Sequence, residues 1–224
     1  MNNTKKIIMV LDTETADLTG SVYDIGYTIT DKRGKIALTR NWLVEEIFTD
    51  AKKMMGAFYA GKIFSHYAPM LQRGEIQLTA WSTIVDTMRA DILEHGVNIL
   101  AAYNLPFDTR VMRNTHAALG YTDKVLPHSL DQLCIWQFAC ETKLNTRLYK
   151  ELAQAEGWVS EAGNIRTGAE YAYRFCAGDW GFIEDHTALS DAIIETVILA
   201  RCFATNAKVP YNKKSAMPWR LVNA

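Results

Sequence analysis

The chain has 224 residues, 49% of them hydrophobic and 22% charged, an ordinary balance for a globular protein with a sizeable core. Its formal net charge of −1 excludes a long basic track for duplex DNA, but not a site that holds a few nucleotides at one strand end. Cys134, Cys140, Cys176 and Cys202 form no C-x-x-C pair and have no His at zinc spacing, so reduced thiols are expected and a disulfide or zinc framework is not.

Residues 6–12 (KIIMVLD) are an apolar run ending in an acid, which predicts a buried strand with chemistry at its tip. Five apolar residues are too few for a signal peptide or a membrane span, and nothing later approaches one. A soluble cytoplasmic protein with no membrane partner is the expectation. Residues 24–30 and 35–44 predict two further strands around the polar turn Asp31-Lys32-Arg33-Gly34, so the chain opens on a three-stranded meander. Residues 50–73 read as helical, broken near Gly61 and Pro69. A clearer helix covers 79–95, with Ile84, Val85, Met88, Ile92 and Leu93 on one face and Gly96 just past its end. Residues 98–103 predict a fourth strand that leads through Pro106 into a helix ending before Gly120. A fifth strand or a helix start falls at 129–136, and helices follow at 147–156, 168–176 and 185–204. Repeats, low-complexity tracts and Gly/Ser linkers are absent from the sequence. One domain over 1–206 is therefore expected, with a basic tail over 207–224 carrying Lys208, Lys213, Lys214 and Arg220.

Three groups of residues carry chemistry. Asp12 and Glu14 are two apart, so an extended backbone points both carboxylates to one side. Two acids there repel unless a cation sits between them, as in a magnesium site; a solvated strand end is the plainer reading of that pair alone. Next, Ala102-Tyr103-Asn104-Leu105-Pro106-Phe107-Asp108 takes a buried strand into a loop and puts Asp108 in the first turn of a helix. An acid there is also common simply because it favours the helix dipole. Last, His186 and Asp191 are five apart, which puts His186 in the first turn or just before it and lets both face the helix start. A lone His in that position is more often a solvated or capping residue.

Taken in chain order, D-x-E on the first strand, N-x-x-F-D after the fourth and H-x-x-x-x-D opening a late helix resemble the DEDDh family of 3′→5′ exonucleases. That family includes polymerase proofreading subunits, RNase T and oligoribonuclease. The likeness spans about residues 6–204. It implies an α/β, ribonuclease-H-like fold: a mixed five-stranded sheet with three antiparallel strands first, flanked by helices. It also implies that Asp12, Glu14, Asp108 and Asp191 hold two Mg²⁺ ions, for which Mn²⁺ substitutes, while His186 acts as the general base. Thr15, Leu18, Asn104 and Phe107 fall at substrate-binding positions, Leu18 at the one that wedges against the terminal base; Phe107 is equally plain core. The implied activity is removal of nucleoside 5′-monophosphates from single-stranded or frayed 3′ ends.

The chain departs from the family pattern at Ala16-Asp17, where relatives have Thr-Gly, and at Tyr103, where many have His. Asp17 would add negative charge beside the strand path. A stand-alone exonuclease of the kind bacteriophages and bacteria encode is expected, with DNA ahead of RNA. The rivals are a small-RNA trimming exoribonuclease and a non-catalytic module that binds nucleic acid or a partner. Between residues 44 and 78, Phe48, Phe58, Tyr59, Phe64, His66 and Tyr67 interleave with Lys52, Lys53, Lys62 and Arg73. Such a segment either stacks bases and holds phosphates or forms a helical cover over the sheet. A protein partner would use this segment or the basic tail; oligomeric state cannot be read from sequence.

Overall fold

The computed structural model describes residues 6–213 and 217–223; Lys214 and the last residue of the basic tail lie outside them. Strand alternation organises the opening. In β1 (Ile7–Thr15), Met9, Leu11 and Thr13 point to one face, and Ile8, Val10, Asp12 and Glu14 to the other. β2 (Val22–Asp31) sets Tyr23, Ile25, Tyr27 and Ile29 against Asp24, Gly26, Thr28 and Thr30. The two pair antiparallel with Asp12 opposite Gly26 and Glu14 opposite Asp24, and β2 pairs antiparallel with β3 (Ile36–Val44).

Beyond the meander come α1 (Glu45–Phe48), α2 (Ala51–Met55), a π turn (Ile63–Tyr67) running into α3 (Ala68–Arg73), β4 (Leu78–Thr79) and α4 (Trp81–His95). Then follow β5 (Ile99–Ala102), α5 (Leu105–Ala118), β6 (Asp131–Cys134), α6 (Ile135–Ala139) and a second π turn (Cys140–Leu144). α7 (Arg147–Ala155), α8 (Ala169–Ala177), α9 (Ala188–Phe203) and a single 3₁₀ turn (Pro218–Leu221) complete the described chain. The sheet order is β4-β3-β2-β1-β5-β6, with β4, β5 and β6 parallel to the strands they pair with.

The sheet thus has six strands where five were expected. The extra one, Leu78–Thr79, pairs with Leu43 and Val44; two residues carry no alternation by which to recognise them. The same residues explain why α4 starts at Trp81 and not at Thr79. Both Glu46 carboxylate oxygens accept the Trp81 N–H, at 3.2 and 3.0 Å, so a distant acid sets the helix start. Pro69 does not break a helix. It sits in the first turn of α3, where its missing N–H costs nothing. The break falls earlier, in the turns of residues 56–62. Leu93 is 80% exposed and so is not part of the apolar face of α4.

The sheet separates two apolar cores. α4 and α5 cover the face of Met9, Leu11, Tyr23 and Tyr27, and α6–α9 cover that of Ile8 and Val10. The residues of β2 beneath α9 are small or polar, which lets the helix come close: the Thr28 and Thr196 hydroxyls meet at 2.7 Å. Residues of the expected tail dock on the second core. Pro218 and Val222 are buried, Asn212 pairs with the backbone of Gln132 on the edge strand β6, and Lys213 donates to Glu141. All four cysteines are free. No helix among the described residues is long and apolar enough to cross a membrane.

Gly26 lies where α9 crosses β2, and a Cβ there would stand 2.4 Å from the Leu189 nitrogen and 2.6 Å from its Cα. Gly26→Ala must therefore push α9 away from the strand that faces Asp12. A loss of about 1–3 kcal/mol in urea denaturation is expected, in the range of an overpacked core. Wild-type stability would show that the helix is not pinned at that crossing.

Candidate active site

The parallel pairing of β1 with β5 brings two strand ends side by side, and with them the Asp12–Glu14 tip and the turn into α5. Asp108 is buried in the first turn of α5, and its Oδ1 accepts the Thr13 hydroxyl at 2.9 Å. Asp12 and Glu14 face α9, whose N-terminus sits over β2. Asp24, directly across from Glu14, fixes that terminus: its Oδ2 accepts the Ala188 N–H at 3.0 Å and the Tyr67 hydroxyl at 2.8 Å. Asp191 lies buried in the first turn of α9. His186 stands just before the helix with φ +55°, a left-handed conformation uncommon outside glycine. Asp185 knots that loop by accepting from the Thr187 backbone N–H, the Thr187 hydroxyl and the Ser190 hydroxyl.

Of the five residues expected to do the chemistry, Glu14, His186 and Asp191 come closest together. One atom from each lies within 4.8 Å of the others, near enough to share a metal ion. Asp12 and Asp108 flank this group and are felt electrostatically, Asp108 raising the proton affinity of both Asp12 and Glu14. Burial is the first cause throughout. It pushes Glu14 up to about 8, against the opposing charge of Lys62, and Asp108 to about 7. Burial and the charges of Glu184 and Glu14 push Asp191 to about 9. Asp12 rises well above the usual carboxylate range through burial and then through Glu195. His186 moves the other way: burial, and then Lys62, lower it. The donors are hard oxygens plus one imidazole, and the carboxylates are crowded enough to favour protons over ionisation, so the residues suit divalent cations of the magnesium or manganese kind.

Four contributors have no local signal in the sequence. Glu195, one turn beyond Asp191, is 2% exposed and accepts the Tyr103 N–H at 2.9 Å, tying α9 to the turn that carries Asp108. Glu184 faces His186 Nδ1 at 3.6 Å. Tyr59 stacks on the His186 ring, and Lys62 donates to the carbonyls of Asp185 and His186. An acid–His repeat at helical or strand spacing would have been visible; these contacts join residues far apart in the chain.

The remaining expected positions are dispersed. Thr15 sits at a bulge closing β1, and Leu18 is 77% exposed in the following loop. Asn104 caps α5 with its backbone carbonyl, which accepts the Phe107 N–H at 2.7 Å. Phe107 packs against the first core beneath the Arg110 guanidinium. Asp17 does not project along a strand path. Its Oδ1 accepts Thr19 N, Thr19 Oγ1 and Gly20 N at 2.8, 2.6 and 2.9 Å, and these bonds outweigh slight burial to hold its carboxyl below the ordinary value. Tyr103 turns into the second core, where its hydroxyl donates to the Thr167 carbonyl. A second acid–His group, Asp91, Glu94 and His95, lies on α4, where Asp91 is taken up by Arg40 and Tyr27.

Comparison with known proteins places this arrangement in a class. No family model matches the chain, and no curated protein does. Two solved structures share its fold. One is Exonuclease X in complex with 5′ overhanging duplex DNA, at 18% identity and a TM-score of 0.52, covering 89% of this chain and 92% of that one. The other is cell-death related nuclease 4 (CRN-4), at 12% identity and a TM-score of 0.60, covering 93% of this chain and 67% of that one. The chain has the ribonuclease-H-like fold of the DEDDh-type exonucleases.

The raised carboxylates set a pH dependence. In the unfolded chain these acids ionise near pH 4. In the fold they keep their protons until about 7 for Asp108, 8 for Glu14 and 9 for Asp191. Between those limits the native state binds more protons than the unfolded state, so the stability of the metal-free protein falls as pH rises from 5 to 9. Thermal melts should show that decline, and Mg²⁺ or Mn²⁺ should reverse it at pH 8. A flat profile unaffected by metal would mean the acids are not crowded as described.

Proposed function

We propose that the chain is a divalent-metal-dependent 3′→5′ exonuclease, acting on single-stranded or frayed ends, with DNA ahead of RNA, and that its described residues act as one catalytic domain. The observation that supports this most is the meeting of Glu14, His186 and Asp191, flanked by Asp12 and Asp108, from three separate elements at one end of the sheet. The fold shared with Exonuclease X, whose structure holds duplex DNA, favours DNA. When bound to Asp12, Glu14, Asp108 and Asp191, two Mg²⁺ or Mn²⁺ ions would acidify the attacking water and offset charge on the phosphodiester.

The chain's own groups account for the rest. His186, held below its ordinary pKa, is neutral at pH 7 and takes a proton from the water as the water oxygen bonds to phosphorus. The bond from phosphorus to the 3′ oxygen of the penultimate nucleotide breaks. That oxygen leaves with the electron pair and is protonated from solvent, and a nucleoside 5′-monophosphate is released. Thr15, Leu18, Asn104 and Phe107 are assigned to the terminal nucleotide, with Leu18 offering an exposed apolar edge to its base. Asp17 plays no part in repelling the strand, because its carboxylate is used within its own turn. Unpairing a duplex end still costs a few kcal/mol, which underlies the preference for frayed ends.

The test is digestion of 3′-labelled and 5′-labelled single-stranded DNA and RNA with Mg²⁺ or Mn²⁺. The 3′ label should leave at once as a mononucleotide, while the 5′ label should step down a ladder, faster on DNA. Asp12→Ala, Glu14→Ala, Asp108→Ala and Asp191→Ala should each abolish release with the fold retained. His186→Ala should slow it by about 10²-fold without loss of metal. Near-wild-type turnover in an acid variant that still binds metal would sink the assignment. Strand binding without release from any arm would favour the binding-module reading instead.

A further inference from the structure

The long segment between β3 and β4 delivers two side chains onto the loop that carries His186. The Tyr59 ring lies 4.8 Å from the His186 ring at an interplanar angle of 21°. Lys62 Nζ donates to the Asp185 carbonyl at 2.5 Å and to the His186 carbonyl at 3.0 Å. The two are themselves coupled: Lys62 Nζ stands 4.0 Å over the Tyr59 ring, and the Lys62 N–H closes a turn on the Tyr59 carbonyl at 2.9 Å. From these contacts we propose that Tyr59 and Lys62 are positioning residues, a clamp that holds His186 at its left-handed φ and aims its ring at Glu14 and Asp191. The assignment rests on the nuclease reading of the site.

Three features separate this clamp from ordinary packing. First, a non-glycine residue at φ +55° keeps that conformation only where its surroundings over-determine it. Asp185 ties the loop from the α9 side, and the clamp ties it from the other. Second, Tyr59 and Lys62 are half-buried at the lip of the site, whereas the aromatics of the same segment that support the fold, Phe48 and Tyr67, pack into the first core. Third, Lys62 lies in the field of Glu14, Asp191, Asp185 and Glu184, yet its close partners are two backbone carbonyls and not a carboxylate. A stand-in for a missing cation would bond the acids. A bond to consecutive carbonyls fixes the backbone, and it persists when cations occupy the carboxylates.

The experiment uses the full chain as Tyr59→Phe, Tyr59→Ala and Lys62→Met, with thermal melts to confirm folding. In the metal-free protein, the NMR signals of the His186 ring carry the ring-current shift of the stacked phenol. That shift should vanish in Tyr59→Ala, stay in Tyr59→Phe and weaken in Lys62→Met. On 3′-labelled single-stranded DNA with Mn²⁺, Tyr59→Ala and Lys62→Met should lower kcat by about 10- to 100-fold, as misplacing a catalytic group does, with KM and Mn²⁺ affinity close to wild type. Tyr59→Phe should rescue. In a His186→Ala background, Tyr59→Ala should cost nothing further, since it acts only through that ring. Unchanged His186 signals in both variants, a rise in KM with kcat intact, or full additivity with His186→Ala would each overturn the clamp. Absence of nuclease activity in the wild type would sink the functional reading alone, because the NMR arm needs no turnover.

Discussion

The repulsion among buried carboxylates is the constraint on which this end of the molecule depends. Asp12, Glu14, Asp108, Asp191 and Glu195 all lose solvation, and Asp12 feels the charge of each of the others. Left alone, such a cluster drives its own strands and helices apart. The fold resists with contacts placed where separation would begin. Gly26 lets α9 lie against β2, the Thr28–Thr196 bond repeats that contact further along, and Asp24 holds the helix N-terminus. Glu195 commits one carboxylate oxygen to the Tyr103 N–H and so joins α9 to the turn before Asp108. Two of the acids therefore help to hold the others in place.

Much of this was legible along the chain, for a physical reason. β1 announces itself because an apolar run must end where water begins, and a D-x-E pair at strand spacing puts both acids on one face. His186 and Asp191 were legible because helix starts constrain nearby residues. Asp24 was not: it reads as an ordinary strand residue, and only the α9 N-terminus arriving from far along the chain gives it a role. Glu195 lies one turn past Asp191, where a polar residue on a helix reads as solvent-facing, yet the second core encloses both faces of α9. Leu93 failed in the opposite sense, an apolar residue at helical spacing that points to water. Helical periodicity predicts a face but not how wide the buried stripe will be.

The segment between β3 and β4 shows the same divide. Its aromatics were readable as either a base-stacking surface or a cover for the sheet. The structure divides them: Phe48 and Tyr67 pack edge to face beside Tyr23, Phe58 and Phe64 are exposed, and Tyr59 reaches His186. Residue type alone could not separate these roles, because each depends on which side of a turn a ring emerges. The C-terminal residues were misjudged for a related reason. Lys208, Lys213 and Arg220 suggested an exposed basic tail, but Pro218 and Val222 between and beyond them are buried, and short apolar anchors are easily hidden by the charges around them.

Burial acts with opposite sign on the two kinds of group in the site. It raises the carboxylates because it disfavours their anions, and it lowers His186 because it disfavours the imidazolium. Lys62 sharpens the contrast, since one positive charge opposes the rise of Glu14 and adds to the fall of His186. Near neutral pH the same desolvated pocket therefore holds a neutral imidazole next to acids that keep protons until a stronger cation displaces them. A base and a cation trap usually call for different environments. Here one low-dielectric wall serves both, because the charged state to be suppressed is positive on the ring and negative on the carboxylates.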